Sequence, residues 1–341
     1  MQPQRPKKSV LITGASGFIG SFLVEHALKE DMEVWAAIRP TSSRKYLTDG
    51  RIRFIELDLG NGQHLLRQIE DHRRKHGPWQ HVIHAAGATK CASPEHFKAV
   101  NTEGTRNLVQ SLTAAKALEG RFVFVSSLSI MGPVHEHDGR EITAADTPCP
   151  NTTYGRSKLA AEELLGTVEG LDYIILRPTG VYGPRERDYF LIADSIRKHV
   201  DFAVGFRRQR ITFIYVRDLV DAAFRALVNG RSGSTYLLSD GADYNPRHFG
   251  RLIQQEMGVR HVLRLTAPLW LLRAVCALGE KTARRRGKAV TLNKDKYNIM
   301  KQRNWRCDIT PARRELNFTP QYDLARGVKE TIAWYKKEKW I

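Results

Sequence analysis

Cysteine is scarce in this 341-residue chain: Cys91, Cys149, Cys276 and Cys307 stand far apart, and no Cys-x-x-Cys pair occurs. That spacing excludes a disulfide framework and a thiolate metal cluster, and no metal site is expected; it reads as four reduced, unligated thiols in a cytoplasmic protein. Long apolar runs are missing too, none approaching the roughly 18–20 residues that span a bilayer. The opening MQPQRPKKSV is polar and basic and runs straight into an apolar strand, so no apolar signal segment is expected. Acidic residues are in deficit, 36 Asp+Glu against 54 Lys+Arg, for a formal net charge of +18. From residue 261 onward there are 19 basic and 7 acidic residues, a surplus of 12. Such asymmetry suits an anionic neighbour (lipid headgroups, nucleic acid or a phosphorylated substrate) or simply a solvated basic lobe. Charge alone supplies only non-specific affinity for nucleic acid, so no specific nucleic-acid partner is expected.

What is abundant is apolar: 42% of residues are hydrophobic, enough to fill a large interior and to exclude wholesale disorder. Short apolar runs at 9–13, 33–39, 52–57, 81–86, 121–127 and 172–178 read as buried strands. Amphipathic segments at 18–30, 62–76, 101–118 and 154–168 lie between several of them. Continuous apolar strands separated by helices predict βαβ units, hence an α/β fold of the Rossmann type: a doubly wound parallel sheet covered on both faces. After Gly183 the rhythm breaks. The stretches 184–214 and 244–341 are basic and mixed, without strand–helix alternation, while GSTYLLSD (233–240) reads as one more sheet strand. The expected division is therefore a Rossmann domain at 1–183 with a returning strand near 233–240. A smaller, discontinuous lobe is expected from 184–232 and 241–341.

LITGASGFIG sets Gly14, Gly17 and Gly20 directly after the first strand and at the start of a helix, with Phe18 and Ile19 inside the turn. A tight strand-to-helix turn needs positive φ, and close approach to a pyrophosphate forbids a side chain. The helix N-terminus then supplies N–H donors to the anion. In this context the glycines predict a dinucleotide site. The end of the second strand, AAIRPTSSRK, lacks the acid that would accept from a ribose 2′-hydroxyl and offers Arg39 instead. A permanently charged guanidinium suits a 2′-phosphate, which favours NADP(H); if Arg39 only stacks on adenine, NAD(H) stays possible. Asp58, followed by Leu59 at the third strand's tip, is placed to meet the adenine amino group. The small residues of HAAG, Ala85 among them, suit backbone lying against a cofactor ribose.

FVFVSSLSIMG ends the fifth strand with Ser126 and Ser127, where parallel sheets hold ligands. Tyr154 and Lys158 in NTTYGRSKLA stand one helical turn apart on one face. A free tyrosine, with its pKa near 10, is a poor base at neutral pH. A nearby ammonium is expected to lower that pKa toward the working range, and Ser127 is placed to hydrogen-bond a substrate oxygen.

With these stretches, and with VNTEGTRNL (100–108), LRPTGVYGP (176–184) and FIYVRDLVDA (213–222), the chain resembles the extended short-chain dehydrogenase/reductase superfamily, the NAD-dependent epimerase/dehydratase family, over nearly its whole length. The resemblance implies Ser127, Tyr154 and Lys158 as a catalytic triad, with Lys158 also binding the nicotinamide ribose. It implies Asn101 as a helix position supporting the active site, and Pro178 and Val181 lining the nicotinamide. A homodimer joined through two helices per subunit is likewise implied.

The reaction is less sharply drawn. Dehydratases of this pattern carry acids just after the position of Ser127, where this chain has Leu128 and Ser129. Nucleotide-sugar 4-epimerases mostly retain NAD and carry an acid where Arg39 stands, although Arg210 is available to a nucleotide phosphate. The stretch APLWLLRAVCALGEKTARRRGK is apolar over 267–278 and then cationic at Lys281, Arg284, Arg285 and Arg286. It reads as a lipid-surface contact through 267–288, as a greasy substrate entrance flanked by cations, or as a core helix with a solvated end. The layout resembles 3β-hydroxysteroid dehydrogenase and dihydroflavonol reductase-like members. The expectation is a small-molecule oxidoreductase acting between a secondary alcohol and a ketone on a lipophilic substrate. The alternatives are a 4-epimerase and a non-catalytic dinucleotide-binding scaffold.

Overall fold

The computed structural model describes residues 7–91, 93–286 and 293–341. The strands are β1 (Ser9–Thr13), β2 (Glu33–Ile38), β3 (Arg53–Glu56), β4 (His81–His84), β5 (Phe122–Val125), β6 (Tyr173–Pro178), β7 (Gly180–Tyr182), β8 (Val200–Val204), β9 (Phe213–Tyr215), β10 (Thr235–Leu238) and β11 (Leu263–Ala267). The helices are α1 (Phe18–Lys29), α2 (Gly62–His76), α3 (Pro94–Phe97), α4 (Gly104–Ala114), α5 (Thr153–Leu165), α6 (Phe190–Arg197), α7 (Val216–Val228), α8 (Pro246–Met257), α9 (Leu269–Arg286), α10 (Lys294–Lys301), α11 (Thr310–Leu316) and α12 (Leu324–Lys337).

Seven strands form one parallel sheet in the order β3-β2-β1-β4-β5-β6-β10. The order reverses between β1 and β4, and such a switch point opens a crevice at the strands' carboxyl ends. The two faces are buried separately. Phe22 and Leu23 of α1, Leu219 of α7 and Leu316 of α11 cover one; Leu65 and Ile69 of α2, Leu108 of α4 and Leu165 of α5 cover the other. Both sides of each central strand are therefore dry, which is why the sequence reads there as unbroken apolar runs.

The expected strands are present, with shorter ends: 85–86 and 126–127 leave the sheet to form the crevice. The expected 233–240 strand is β10, which pairs with β6. Two regions differ from expectation. The helix expected at 101–118 starts earlier, because Ser93 caps it and Pro94 fits the first helical position. It then widens into a π-helical turn over Lys98–Glu103 before α4. The stretches expected to show no strand–helix alternation contain β8, most of β9 and β11, paired as β8–β11 and β7–β9. In β8 and β11 a charged residue interrupts the apolar positions, Asp201 in one and Arg264 in the other, so neither shows an unbroken apolar run.

Candidate active site

The strand-to-helix turn is built as its glycines require. Gly14 sits at φ +69°, and a Cβ there would lie 2.8 Å from the Ala85 carbonyl oxygen and the Ala86 nitrogen. Gly14 accepts from the Gly17 N–H at 2.9 Å, and a Cβ on Gly20 would fall 2.0 Å from the Gly14 oxygen. Gly17 caps α1 without any side-chain bond, so the first N–H groups of that helix stay available to an anion. Phe18 and Ile19, partly buried, anchor the turn on the core. A cradle that a methyl group would fill, opening on an uncapped helix, fits a dinucleotide pyrophosphate.

The rim of the crevice carries the remaining expected contacts. Arg39 follows β2 and is exposed; its backbone N–H donates to Ser42 Oγ at 3.0 Å, and its guanidinium is in no ion pair with a described residue. Asp58 follows β3, also exposed, with Oδ1 accepting from the Gly60 N–H at 3.0 Å. The Leu59 carbonyl accepts from Asn107 Nδ2 at 2.8 Å. Pro178 ends β6 beside β10, and Val181 lies in β7 next to it.

Ser127, Tyr154 and Lys158 meet at the end of β5. Ser127 caps a short 3₁₀ turn (Leu128–Ile130), its Oγ accepting from the Ser129 N–H at 3.1 Å, and its side chain lies near enough to the Tyr154 phenol to favour the ionised form. Thr152 caps α5 through the Gly155 N–H at 2.9 Å, which fixes Tyr154 in the helix's first turn. Lys158 is buried, with Nζ donating to the Val125 carbonyl at 2.7 Å and lying 4.4 Å from the Phe124 ring centre. Burial lowers its pKa to about 8, against the opposing pull of Glu162. The Tyr154 side chain is half-buried. Desolvation pushes the phenol up to about 12, with Ser127 opposing the rise. The expected lowering of the tyrosine by its lysine is therefore not what this arrangement produces. Burial dominates at Tyr154, opposed only by Ser127, and the lysine is itself desolvated.

Asn101 is fully occupied. Its Oδ1 accepts from the Ala88 N–H at 2.7 Å, while Nδ2 donates to the Ala88 carbonyl at 3.0 Å and to Ser157 Oγ at 2.9 Å. The π-helical turn thus ties the loop after β4 to α5, between Tyr154 and Lys158.

Three supporting groups escaped the sequence reading. Glu162, one turn beyond Lys158, accepts from Ser126 and pairs with Arg177 Nη2 at 2.6 Å, all buried. The i+4 spacing from Lys158 was the signal for it. His84 bridges Thr13 Oγ1 (2.6 Å) and Thr105 Oγ1 (2.9 Å), fully buried, its pKa lowered to about 3 chiefly by desolvation. Asp295 of α10 accepts at Oδ2 from the Thr153 and Tyr154 N–H groups at 2.8 and 3.2 Å; Asn298 Nδ2 donates to the Asn151 carbonyl at 2.8 Å. No local signal links residues 141 positions apart.

Comparison with known proteins bears on the family and the fold. Residues 10–239 match the family described as the NAD dependent epimerase/dehydratase family. The chain is 30% identical to the GDP-6-deoxy-D-mannose reductase of Pseudomonas aeruginosa, over 72% of this chain and 78% of that protein. It is 26% identical to sterol demethylase protein B of Methylococcus capsulatus, over 98% of this chain and 100% of that protein. The crystal structure of Thermus thermophilus UDP-glucose 4-epimerase in complex with NAD superposes with a TM-score of 0.76 at 21% identity, covering 96% of this chain and 99% of that one. The chain belongs to the NAD dependent epimerase/dehydratase family and is an NAD(P)-dependent enzyme of the extended short-chain dehydrogenase/reductase type.

Proposed function

We propose that the protein is an NADP(H)-preferring oxidoreductase that interconverts a secondary alcohol and a ketone on a lipophilic, sterol- or terpenoid-like substrate. The observation that carries the reading is the convergence of Ser127, Tyr154 and Lys158 at the end of β5, on the crevice that the glycine turn opens. A phenol raised to about 12 beside Ser127 is protonated at neutral pH and serves as a proton donor to a carbonyl oxygen. In ketone reduction Ser127 hydrogen-bonds that oxygen, and Tyr154 gives it a proton as negative charge develops there. The bound dinucleotide supplies the hydride that the carbonyl carbon receives. Lys158, an ammonium below about pH 8, holds the ribose and stabilises the phenolate left when Tyr154 gives up its proton.

The exposed Arg39, with no acid at the end of β2, supports a 2′-phosphate-bearing cofactor. Leu128 and Ser129 after Ser127 argue against dehydration. The full-length likeness to a sterol demethylase component supports a lipophilic substrate. In this reading residues 1–183 with β10 bind the dinucleotide, and 184–232 with 241–341 bind the substrate. Arg210, which a nucleotide-sugar reading would set against a phosphate, lies with Nε 3.9 Å from Asp243.

The test is turnover of purified protein with NADPH and NADH on hydroxysteroid and ketosteroid pairs, beside UDP-hexoses. Net oxidation of NADPH coupled to ketone reduction supports the proposal. Tightly bound NAD, with UDP-hexose epimerised and no cofactor consumed, overturns it in favour of a 4-epimerase.

A further inference from the structure

The two-stranded β8–β11 sheet is turned inside out. Its parallel register pairs Val200 with Leu263, Phe202 with Leu265 and Val204 with Ala267, so these six apolar side chains share one face. The opposite face carries Asp201, Ala203, Arg264 and Thr266. This polar face is the inward one, where Asp201 is buried against α8. Arg247 of α8 reaches Asp201 Oδ2 at 3.4 Å and Thr266 Oγ1 at 2.6 Å, and Arg264 lies 3.8 Å from the same carboxylate. The apolar face looks out: Phe202 is 64% and Leu263 62% exposed. Phe206 continues the face just past β8. Only Pro268 separates β11 from α9, whose first turns expose Trp270 (71%), Leu271 and Val275.

We infer that this face, formed by the outer side of β8–β11 and the first turns of α9, docks on an anionic lipid bilayer. Contiguous exposed apolar surface of this kind marks an interaction site, and a tryptophan at its margin suits the membrane–water interface. Charge selects the occupant. Of the seven Lys and Arg in residues 197–208 and 259–275, which build the face and its margins, Arg197 and Lys198 pair with Asp194 and Arg264 with the inward Asp201. Arg207, Arg208, Arg260 and Arg273 are exposed, and none is in an ion pair with another described residue. An apolar face rimmed by free cations complements a negatively charged headgroup layer. A second copy of the chain fits poorly, because self-contact across this face sets the same cations against each other. Among the described residues no helix is long and apolar enough to cross a membrane, so the contact is peripheral. The surface extends well beyond the 267–288 segment expected from sequence. Of that segment's cations, Lys281, Arg284, Arg285 and Arg286 have side chains outside the described residues, as do residues 287–288 entirely, and none is needed.

The experiment is flotation of the full chain with vesicles of phosphatidylcholine alone or mixed with phosphatidylserine. Two double variants are compared with the unaltered protein, Phe202→Ser with Trp270→Ser and Arg207→Glu with Arg208→Glu, each first checked for an unchanged melting temperature. The expected result is binding to the mixed vesicles at least about tenfold stronger than to phosphatidylcholine, and weakened about tenfold or more by either variant. Failure of the unaltered protein to float with mixed vesicles overturns the inference. So does binding that either double variant leaves intact, or a dimer in solution that the Phe202 and Trp270 changes dissociate.

Discussion

The central sheet and the β8–β11 sheet are both parallel, and they bury opposite kinds of residue. In β4, β5 and their neighbours apolar side chains line both faces and both are covered, so strand polarity and burial agree. In β8 and β11 the alternation is as clean, yet the charged set goes inward to Arg247 while the apolar set meets solvent. Polarity alone would have docked this small sheet the wrong way round. The main sheet's apolar residues are there to fold the chain; those of the small sheet contribute little to folding and are free to serve a contact.

The contrast can be broken at its buried charges. Both regions hold an acid against an arginine, but Glu162 and Arg177 have side chains only 4 and 8% exposed, behind the Ser127–Tyr154–Lys158 cluster. Replacing Glu162 by Leu leaves Arg177 unpaired and is expected to cost about 3–5 kcal/mol in urea unfolding. Asp201→Ala, which leaves Arg247 with a route to solvent and its bond to Thr266, is expected to cost less, about 1–2 kcal/mol. Equal losses would erase the distinction between the two sheets.

A second effect belongs to the main sheet alone. His84 is neutral in the fold down to about pH 3, whereas in the unfolded chain it protonates near 6.5. The unfolded state therefore binds more protons between those values, and stability falls as pH drops through 6.5. At pH 4.5 the deficit from this group is about 3 kcal/mol. Asp218 and Asp240, raised to about 6 by burial, act with the opposite sign between pH 4 and 6. The measurement is accordingly the pH dependence of unfolding free energy in the unaltered chain minus that in His84→Gln, which should be shallower on the acid side.

Smaller effects sharpen the division of labour around the crevice. Arg39→Ala is expected to reduce the preference for NADPH over NADH about tenfold in kcat/KM, close to 1.4 kcal/mol, with little change in stability. Asp295→Ala removes an acceptor from two N–H groups at the start of α5 and should lower stability by about 1 kcal/mol. Because it touches Tyr154 through its backbone, it should also lower kcat more than it raises KM. A change confined to KM would assign α10 to substrate binding instead.

How far the sequence is legible follows the same line. The glycine turn is local chemistry: positive φ and close packing can be satisfied only by Gly14 and Gly20, so the pattern stands in the residues themselves. The central strands are legible because burial on both faces demands unbroken apolar runs. The Tyr154–Lys158 spacing predicts proximity correctly, but not the phenol's pKa, which depends on how much protein encloses it. The π-helical turn holding Asn101 has no compositional mark. Asp295 reaches α5 across 141 residues, a distance no motif spans. The inverted small sheet was hidden because Asp201 and Arg264 break its apolar positions and its polar partner, Arg247, lies on another element.

The most direct test of the account is Tyr154→Phe, which removes one hydroxyl and keeps the ring. Dinucleotide binding, followed by fluorescence of the reduced cofactor, should be retained within a few-fold. Turnover of a ketone substrate of the unaltered protein should fall about 10²–10⁴-fold at neutral pH. A variant that binds cofactor and still turns over within about twofold of the unaltered protein would show that Tyr154 is not the proton donor.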